Sequence, residues 1–191
     1  IVLTEPNQLW VSDITYIDIE GDSDYLHLVT DAYSHKIIGW CLADSLSAKH
    51  TLEALRMAIR QTGKDDLSGL IHHSDRGIQY CCNAYVEELE LHHISISMTE
   101  DYKPTDNAIA ERVNGIIKQE LIYRRKRFAS HEEAYEAIER FITFYNDSRP
   151  HMSIDYQTPS VAHQQVGTQQ RHWKGYQERC QQNQYNICQS I

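Results

Sequence analysis

The chain has 191 residues, of which 41% are hydrophobic, and this is enough for one sizeable globular core. A formal net charge of −9 argues against a simple basic nucleic-acid module, because binding to phosphates requires many Lys and Arg side chains. No apolar run approaches the roughly 20 residues of a membrane helix, and the five cysteines show neither Cys-x-x-Cys nor zinc-finger spacing. We therefore expect a soluble piece of a longer chain, in a reducing cytoplasm.

Three strand patterns open the chain. Residues 9–19, 25–30 and 36–43 are rich in β-branched and aromatic residues and are separated by short turn signals such as Gly21-Asp22-Ser23-Asp24. Short connections of this kind join antiparallel neighbours, so the pattern predicts a three-stranded meander. Asp13 lies on its first strand.

Helices and strands alternate in the next segment. Ser47 is a predicted N-cap and Gly63 a predicted left-handed stop for a helix between them. A buried strand then begins at Leu70 and ends at Asp75, followed by a short helix at 79–89 and a strand at 94–98. Parallel strands need crossover helices, so we predict an α/β fold with a ribonuclease-H-like mixed five-stranded sheet: three antiparallel strands followed by β-α-β-α units.

A long helix is predicted from a cap at Thr105 or Asp106 to about Lys126. One face carries the apolar residues Ile109, Val113, Ile116, Ile117 and Leu121, and the opposite face carries Asn107, Glu111, Asn114, Lys118 and Arg125. Together with the basic residues at 124–127, this second face predicts a local anion-binding surface that the overall acidity conceals.

The last predicted helix starts at a capping box, in which Ser130 and Glu133 satisfy each other's free backbone donors. It ends near the segment 146–151, and the chain beyond about Gln164 is dense in Gln. We expect a core domain over residues 1–162 and a Gln-rich tail over residues 163–191, whose order the sequence does not decide.

Three acidic residues on three predicted elements suggest one site. Alone, Asp13 is an ordinary strand-edge residue, Asp75 a partner for Arg76, and Glu111 part of a solvated helix face. If the three carboxylates converge at one end of the sheet, they repel unless cations neutralise them, and hard oxygen ligands favour Mg²⁺ or Mn²⁺. We therefore predict a divalent-cation site.

Other kinds of site are less favoured. The pairs His72-His73 and His92-His93 cannot each chelate one ion from a regular strand, because adjacent side chains point to opposite faces. Cys81 and Cys82 lack a recognisable His or Asn partner set, and the sequence around Ser74 is not the Gly-x-Ser-x-Gly of serine hydrolases.

Four segments between about residues 5 and 162 resemble the catalytic core of insertion-sequence transposases related to retroviral integrases. They are Trp10-x-x-Asp13-Ile-Thr-Tyr-Ile, His73-Ser-Asp75-x-Gly-x-Gln-Tyr80, Asp106-Asn-Ala-x-Ala-Glu111-x-x-Asn-Gly-x-x-Lys118-x-Glu, and Tyr145-Asn-x-x-Arg-Pro-His151 with Thr158-Pro159. The 35 residues between Asp75 and Glu111 are part of this resemblance.

The resemblance implies a DDE transposase in which Asp13, Asp75 and Glu111 are the catalytic, metal-binding triad for two Mg²⁺ ions, with Mn²⁺ as a substitute. It implies nicking at the ends of the element and transfer of a 3′-hydroxyl to target DNA, with Lys118 contacting terminal DNA. It further implies a helix-turn-helix segment upstream of the core, and nothing before Leu9 is long enough to be one.

Four further residues complete the expected DNA surface, namely Asn107, Asn114, Arg125 and Arg76. Because recombination acts on two DNA ends, a homo-oligomer is expected. Two alternatives stay open from the sequence: a ribonuclease-H-like metal nuclease without strand transfer, and an inactive remnant that serves assembly or regulation.

Overall fold

The computed structural model describes residues 2–98, 108–123 and 127–169. Five strands form one sheet in the order β3-β2-β1-β4-β5, which places β1 at its centre. The strands are β1 (Leu9–Ile19), β2 (Asp22–Asp31), β3 (Ile37–Ala43), β4 (Ile71–Ser74) and β5 (Ser95–Met98). The first three pair antiparallel, while β4 pairs parallel with both β1 and β5. The predicted mixed five-stranded sheet is confirmed.

Helices cover both faces of the sheet. They are α1 (Ala48–Thr62), α2 (Ile78–Cys81), α3 (Asn83–Leu91), α4 (Ala108–Ile117), α5 (His131–Asp147) and α6 (Pro159–Ala162). A π-helical turn, Lys118–Ile122, continues α4, and a short 3₁₀ turn, Met152–Ile154, follows α5. Of the helices in the described ranges, none is long and apolar enough to cross a membrane.

Local capping signals fix the ends of two helices. The Ser47 side chain accepts a hydrogen bond from the Lys49 backbone N–H, and Gly63 adopts a left-handed φ of 65° after the last turn of α1. At the start of α5, Ser130 accepts from the Glu133 N–H, as predicted. The Glu133 carboxylate reaches back to the N–H of Ala129, one residue before the expected position.

The two largest apolar clusters lie on opposite faces of the sheet. On one face, α1 and α3 pack against a cluster that includes Trp10, Leu55 and Tyr85. On the other face, α4 and α5 pack against a cluster that includes Ile17 and Val113. Alternation along β1 divides its side chains between these cores, so Ser12 faces the α1 side and Asp13 the α4 side.

The structure differs from the predicted helices in two places. The helix expected at 79–89 is two helices, because Cys82 is extended and its carbonyl oxygen accepts from the N–H groups of Tyr85 and Val86. Within the described part of the long helix predicted after 105, α-helix runs over Ala108–Ile117 and is then interrupted by the π turn Lys118–Ile122. Both Leu121 and Ile122 are buried in this wider π turn. In a regular α-helix these adjacent side chains would point about 100° apart around the helix axis. The predicted cap at Thr105 or Asp106 lies outside the described residues.

Gly39 of β3 lies where the backbone of α1 comes close to the sheet. A Cβ atom at this position would lie 2.1 Å from the backbone oxygen of Ala54 and 3.0 Å from the Cβ of Ala58. Backbone atoms cannot yield to such an overlap without moving the helix. Glycine at 39 therefore sets the spacing between β3 and α1.

We predict that Gly39→Ala lowers the free energy of unfolding by about 1–3 kcal/mol, the usual cost of overpacking. Urea unfolding followed by circular dichroism measures this change. Gly115→Ala is the matched control, because a Cβ there meets nothing within 4 Å and alanine favours the helix by up to about 1 kcal/mol. Equal stability of both variants would contradict the assigned role of Gly39.

Candidate active site

Asp13 lies in the central strand, where its carboxylate is already partly engaged. Oδ1 accepts from the backbone N–H of Ile14 at 2.8 Å, and Oδ2 accepts from Nδ2 of Asn114 at 2.5 Å. The second bond joins β1 to α4 across 101 residues of sequence. The carboxylate is therefore held between the sheet and the helix, with remaining lone pairs for another ligand.

Asp75 lies beside Asp13 because of the register between two parallel strands. The last pair in that register is Val11 with His73, and each acid lies two residues beyond its member of the pair. Residues two apart share a face of the sheet, and neighbouring strands are about 4.8 Å apart. Asp75 is exposed and directly follows the last residue of β4, so it lies at a strand end as the sequence predicts.

A tight turn orients the Asp75 carboxylate. Its Oδ1 accepts from the backbone N–H of Gly77 at 2.9 Å. A Cβ atom on Gly77 would lie 2.9 Å from the same oxygen and 2.5 Å from Nε2 of Gln79. A side chain at position 77 would therefore displace the ends of the Asp75 and Gln79 side chains.

Asn114 connects α4 to β1. The helical pattern predicts that it lies on a polar face and contacts DNA, whereas in the structure only 6% of it is exposed and its amide donates to Asp13. Its Oδ1 is buried and has no hydrogen-bond partner among the described residues. An unsatisfied buried oxygen is costly unless a ligand completes it. Asn114 is thus suited to holding Asp13 and to facing a bound group.

Glu111 and Lys118 lie on the same side of the helix as Asn114. Side chains three and four positions apart are neighbours on a helix, and Glu111 precedes Asn114 by three residues while Lys118 follows it by four. Glu111 is exposed, and Lys118 is close enough to Asp13 to lower the pKa of its carboxyl group. The structure thus brings Asp13, Asp75, Asn114 and Lys118 together, with Glu111 one helical turn away.

The electrostatics of the pair favour an added positive charge. Burial is the main cause that raises the pKa of Asp13 above its ordinary value, and the neighbouring Asp75 raises it further. The bonds from Ile14 and Asn114 and the charge of Lys118 act in the opposite direction without cancelling the effect. The two adjacent carboxylates and the Asn114 amide oxygen, which has no hydrogen-bond partner within the described ranges, form an all-oxygen donor set, and this set fits Mg²⁺ or Mn²⁺.

Of the three remaining residues of the expected DNA surface, the structure describes Arg76 only. Arg76 is exposed directly after Asp75, and its predicted contact with DNA stays a prediction. Asn107 and Arg125 lie outside the described residues, and their predicted roles stay predictions.

A buried polar network supports the strands from the α1 side. Nε2 of His72 lies 2.8 Å from Oγ of Ser12 and 2.9 Å from the hydroxyl of Tyr85. Burial lowers the pKa of His72 to about 3, so the ring is neutral and serves as a structural partner. On the other face of β4, Nδ1 of His73 contacts Ser97 at 3.0 Å. The two adjacent histidines therefore point to opposite sides, as predicted.

An ion pair behind α4 was not predicted from the sequence. The guanidinium of Arg149 binds both carboxylate oxygens of Glu120 on the π turn, with N–O distances of 2.6–3.1 Å. Asn146 bonds the backbone N–H and carbonyl of Ile37 with its amide, and His151 stacks edge-on against Tyr145. The motif 145–151 thus fixes α5 to the sheet and to the turn that carries Lys118. The sequence signal for this ion pair is the opposite charge of Glu120 and Arg149, which belong to two of the four motifs of the family resemblance.

Two models of known protein families match this chain. A family model described as "Integrase core domain" matches residues 4–104, and a second model of the same description matches residues 92–159. The first match alone covers more than half of the chain. The chain belongs to the integrase core domain family.

Curated relatives of this integrase core domain come from bacterial insertion sequences. A Mycobacterium tuberculosis protein of insertion sequence element IS986/IS6110 is 38% identical over 147 residues, covering 75% of this chain and 53% of its own. The transposase for insertion sequence element IS904 from Lactococcus lactis is 34% identical over 158 residues, covering 82% of this chain and 61% of its own. The integrase core domain therefore spans a little over half of the length of these relatives.

Solved structures show the same fold at lower identity. The integrase catalytic core domain of HTLV-2, in complex with magnesium, matches 83% of this chain and 97% of its own with a TM-score of 0.65 and 21% identity. A chain of the simian T-cell lymphotropic virus intasome, in complex with PP2A regulatory subunit B56 gamma, matches 92% of this chain and 61% of its own with a TM-score of 0.72 and 17% identity. The ribonuclease-H-like integrase fold predicted from the sequence is confirmed.

We predict that Asp13→Asn stabilises the protein at neutral pH when divalent cations are absent. The raised pKa means that the folded protein holds the Asp13 proton more tightly than the unfolded chain. Wild type therefore loses stability as the pH rises through that pKa, and the variant does not.

Urea unfolding in EDTA across pH 3–8 tests this prediction, with Asp44→Asn, which removes an exposed carboxylate, as the charge control. The advantage of Asp13→Asn should disappear at pH values below the ordinary Asp range. A variant that is less stable than wild type at every pH would contradict the account.

Proposed function

We propose that this chain is the catalytic core of a DNA transposase, which nicks DNA at the ends of its element and joins the freed 3′-hydroxyl to a phosphate of target DNA. The observation that supports this most is the side-by-side placement of Asp13 and Asp75 on parallel strands, under a helix that carries Glu111 and Lys118. Membership of the integrase core domain family and the insertion-sequence relatives are consistent with it.

Asp13, Asp75 and Glu111 are the proposed ligands of two Mg²⁺ ions, with Mn²⁺ as a substitute. When bound, such ions activate an attacking hydroxyl and neutralise charge at the phosphate. Asp13, in the central strand, would be one of the ligands, and Asn114 would keep its carboxylate fixed. The chain's own part is therefore mainly positioning, as is usual for displacement at phosphorus.

Lys118 and Arg76 are the proposed contacts to DNA phosphates close to this site. Lys118 lies near Asp13, and Arg76 adjoins Asp75, so both place positive charge next to the acids. Asn107 and Arg125 are proposed to extend the same surface. Asn114, being buried, is assigned to Asp13 instead of direct DNA contact.

Further parts of the proposal concern the complete protein. The relatives are longer than this chain, so a helix-turn-helix segment that binds DNA is proposed to lie in the remainder. Because the reaction joins two DNA ends, the working form is proposed to be a homo-oligomer, acting in the bacterial cytoplasm on nucleoid DNA.

Glu111→Gln should lower strand joining by on the order of 10²-fold or more, because it removes a charged ligand while keeping the side-chain size. The assay uses the full-length protein, a labelled DNA end of its own element, unrelated target DNA and Mg²⁺, with products sized on a gel. Glu139→Gln, an exposed glutamate on α5, is the matched control and should retain joining. Full activity of Glu111→Gln would refute its role. If wild type releases cut fragments and never joins them, the protein is a hydrolytic nuclease.

Lys118→Ala should weaken binding to element-end DNA and make its salt dependence shallower. Loss of one phosphate contact changes the slope of log K against log salt concentration by about 0.9. Fluorescence anisotropy at several salt concentrations measures the slope, and Lys64→Ala, an exposed lysine after α1, is the control. An unchanged slope for Lys118→Ala would count against a phosphate contact.

A further inference from the structure

A second group of metal-ligand side chains lies on the α1 face of the sheet. It consists of Cys41 on β3 and of His50 and Glu53 on α1. Sγ of Cys41 lies 3.3 Å from Oε2 of Glu53, and Nδ1 of His50 lies 3.6 Å from the same oxygen. One ligand atom from each side chain lies within 4.8 Å of the other two.

The backbone fixes these three positions relative to one another. His50 and Glu53 are three residues apart on α1 and therefore share one side of that helix. Gly39, two residues before Cys41, allows α1 to approach β3 as closely as backbone atoms permit. The cluster is thus a product of the contact between α1 and β3, and its separations do not depend on a flexible loop.

Two of the three ligand separations match those of a tetrahedral transition-metal site. Bond lengths of about 2.3 Å to sulfur and about 2.0–2.2 Å to nitrogen and oxygen place tetrahedral ligand atoms about 3.4–3.6 Å apart. The separations of 3.3 and 3.6 Å from the Glu53 oxygen agree with that geometry, and the ligand atoms of Cys41 and His50 lie within 4.8 Å of each other. A sulfur, an imidazole nitrogen and a carboxylate oxygen select a borderline ion such as Zn²⁺ over Mg²⁺.

The surroundings leave the ligand atoms accessible. The side chains of His50 and Glu53 are 20% and 48% exposed. Lys49 lies 4.0 Å from Oε1 of Glu53, the oxygen that does not face the cluster, and its own side chain is 74% exposed. His27 lies alongside, but its nitrogens contact Thr51 and Ser45. The thiol of Cys41 donates a hydrogen bond to Glu53. Binding of a cation would release the thiol proton to solvent, so that the thiolate and the carboxylate could both bind the metal.

We propose that Cys41, His50 and Glu53 bind one transition-metal ion of the Zn²⁺ class, with a fourth position for water, and that this ion links β3 to α1. The site lies across the sheet from Asp13, so it is separate from the proposed Mg²⁺ centre and does not depend on the transposase proposal. Its effect is structural: an ion that binds only the folded chain stabilises it in proportion to the logarithm of its concentration.

Titration with Co²⁺ tests the site directly, because Co²⁺ bound by a thiolate gives a sulfur-to-metal charge-transfer band in the near ultraviolet. The metal-free 191-residue chain, kept reduced by a phosphine, should give this band at one equivalent. Zn²⁺ should remove it, whereas excess Mg²⁺ should not.

Variants identify the ligands. The band should persist when Cys41 is the sole thiol, after replacement of the four other cysteines by serine, namely Cys81→Ser, Cys82→Ser, Cys180→Ser and Cys188→Ser. It should vanish in Cys41→Ser, with folding checked by circular dichroism. Glu53→Gln, at a half-exposed position that tolerates change, should weaken Co²⁺ binding at least tenfold. Absence of the band in wild type, an equal band in Cys41→Ser, or unchanged affinity in Glu53→Gln would overturn the proposal.

Discussion

The parallel pairing of β1 with β4 is the constraint on which the proposed site depends. Parallel register carries Asp13 and Asp75 to the same level on neighbouring strands, and a slip of one residue would turn one acid to the opposite face. Two carboxylates held in this way repel each other, and burial adds to the cost of charging Asp13. A cation bound between the two carboxylates would offset both the repulsion and the cost of burying the Asp13 charge.

The helix α4 makes the acid pair part of a larger site. Asn114 attaches the helix to Asp13, so Glu111 and Lys118 are set by the same contact. The π turn that begins at Lys118 is held from behind by the paired oxygens of Glu120 on Arg149. Three contacts therefore bear on where the helix lies relative to the acids. They are the register of β1 with β4, the hydrogen bond from Asn114 to Asp13, and the ion pair of Glu120 with Arg149.

Much of this arrangement is readable from the sequence because it is local. Strand alternation, the Ser47 and Ser130 caps, the Gly63 stop and the position of Asp75 at a strand end all follow from neighbouring residues. The alternation of strands and helices also predicts one mixed sheet of five strands, whereas the strand order is known only from the structure.

The missed features depend on contacts between distant segments. Asn114 is polar and was therefore placed with the exposed charges, although its partner Asp13 lies 101 residues away. The π turn contacts α5, and its Glu120 pairs with Arg149 just after α5; helical periodicity carries no signal for either feature. The Cys41 cluster likewise requires the close approach of α1 to β3.

The most direct test of the central claim is anomalous diffraction from crystals of the protein soaked in Mn²⁺. We expect a peak of anomalous density, marking Mn²⁺, at roughly 2.0–2.3 Å from carboxylate oxygens of both Asp13 and Asp75. Density confined to other residues at saturating Mn²⁺, with these two carboxylates free of metal, would contradict it.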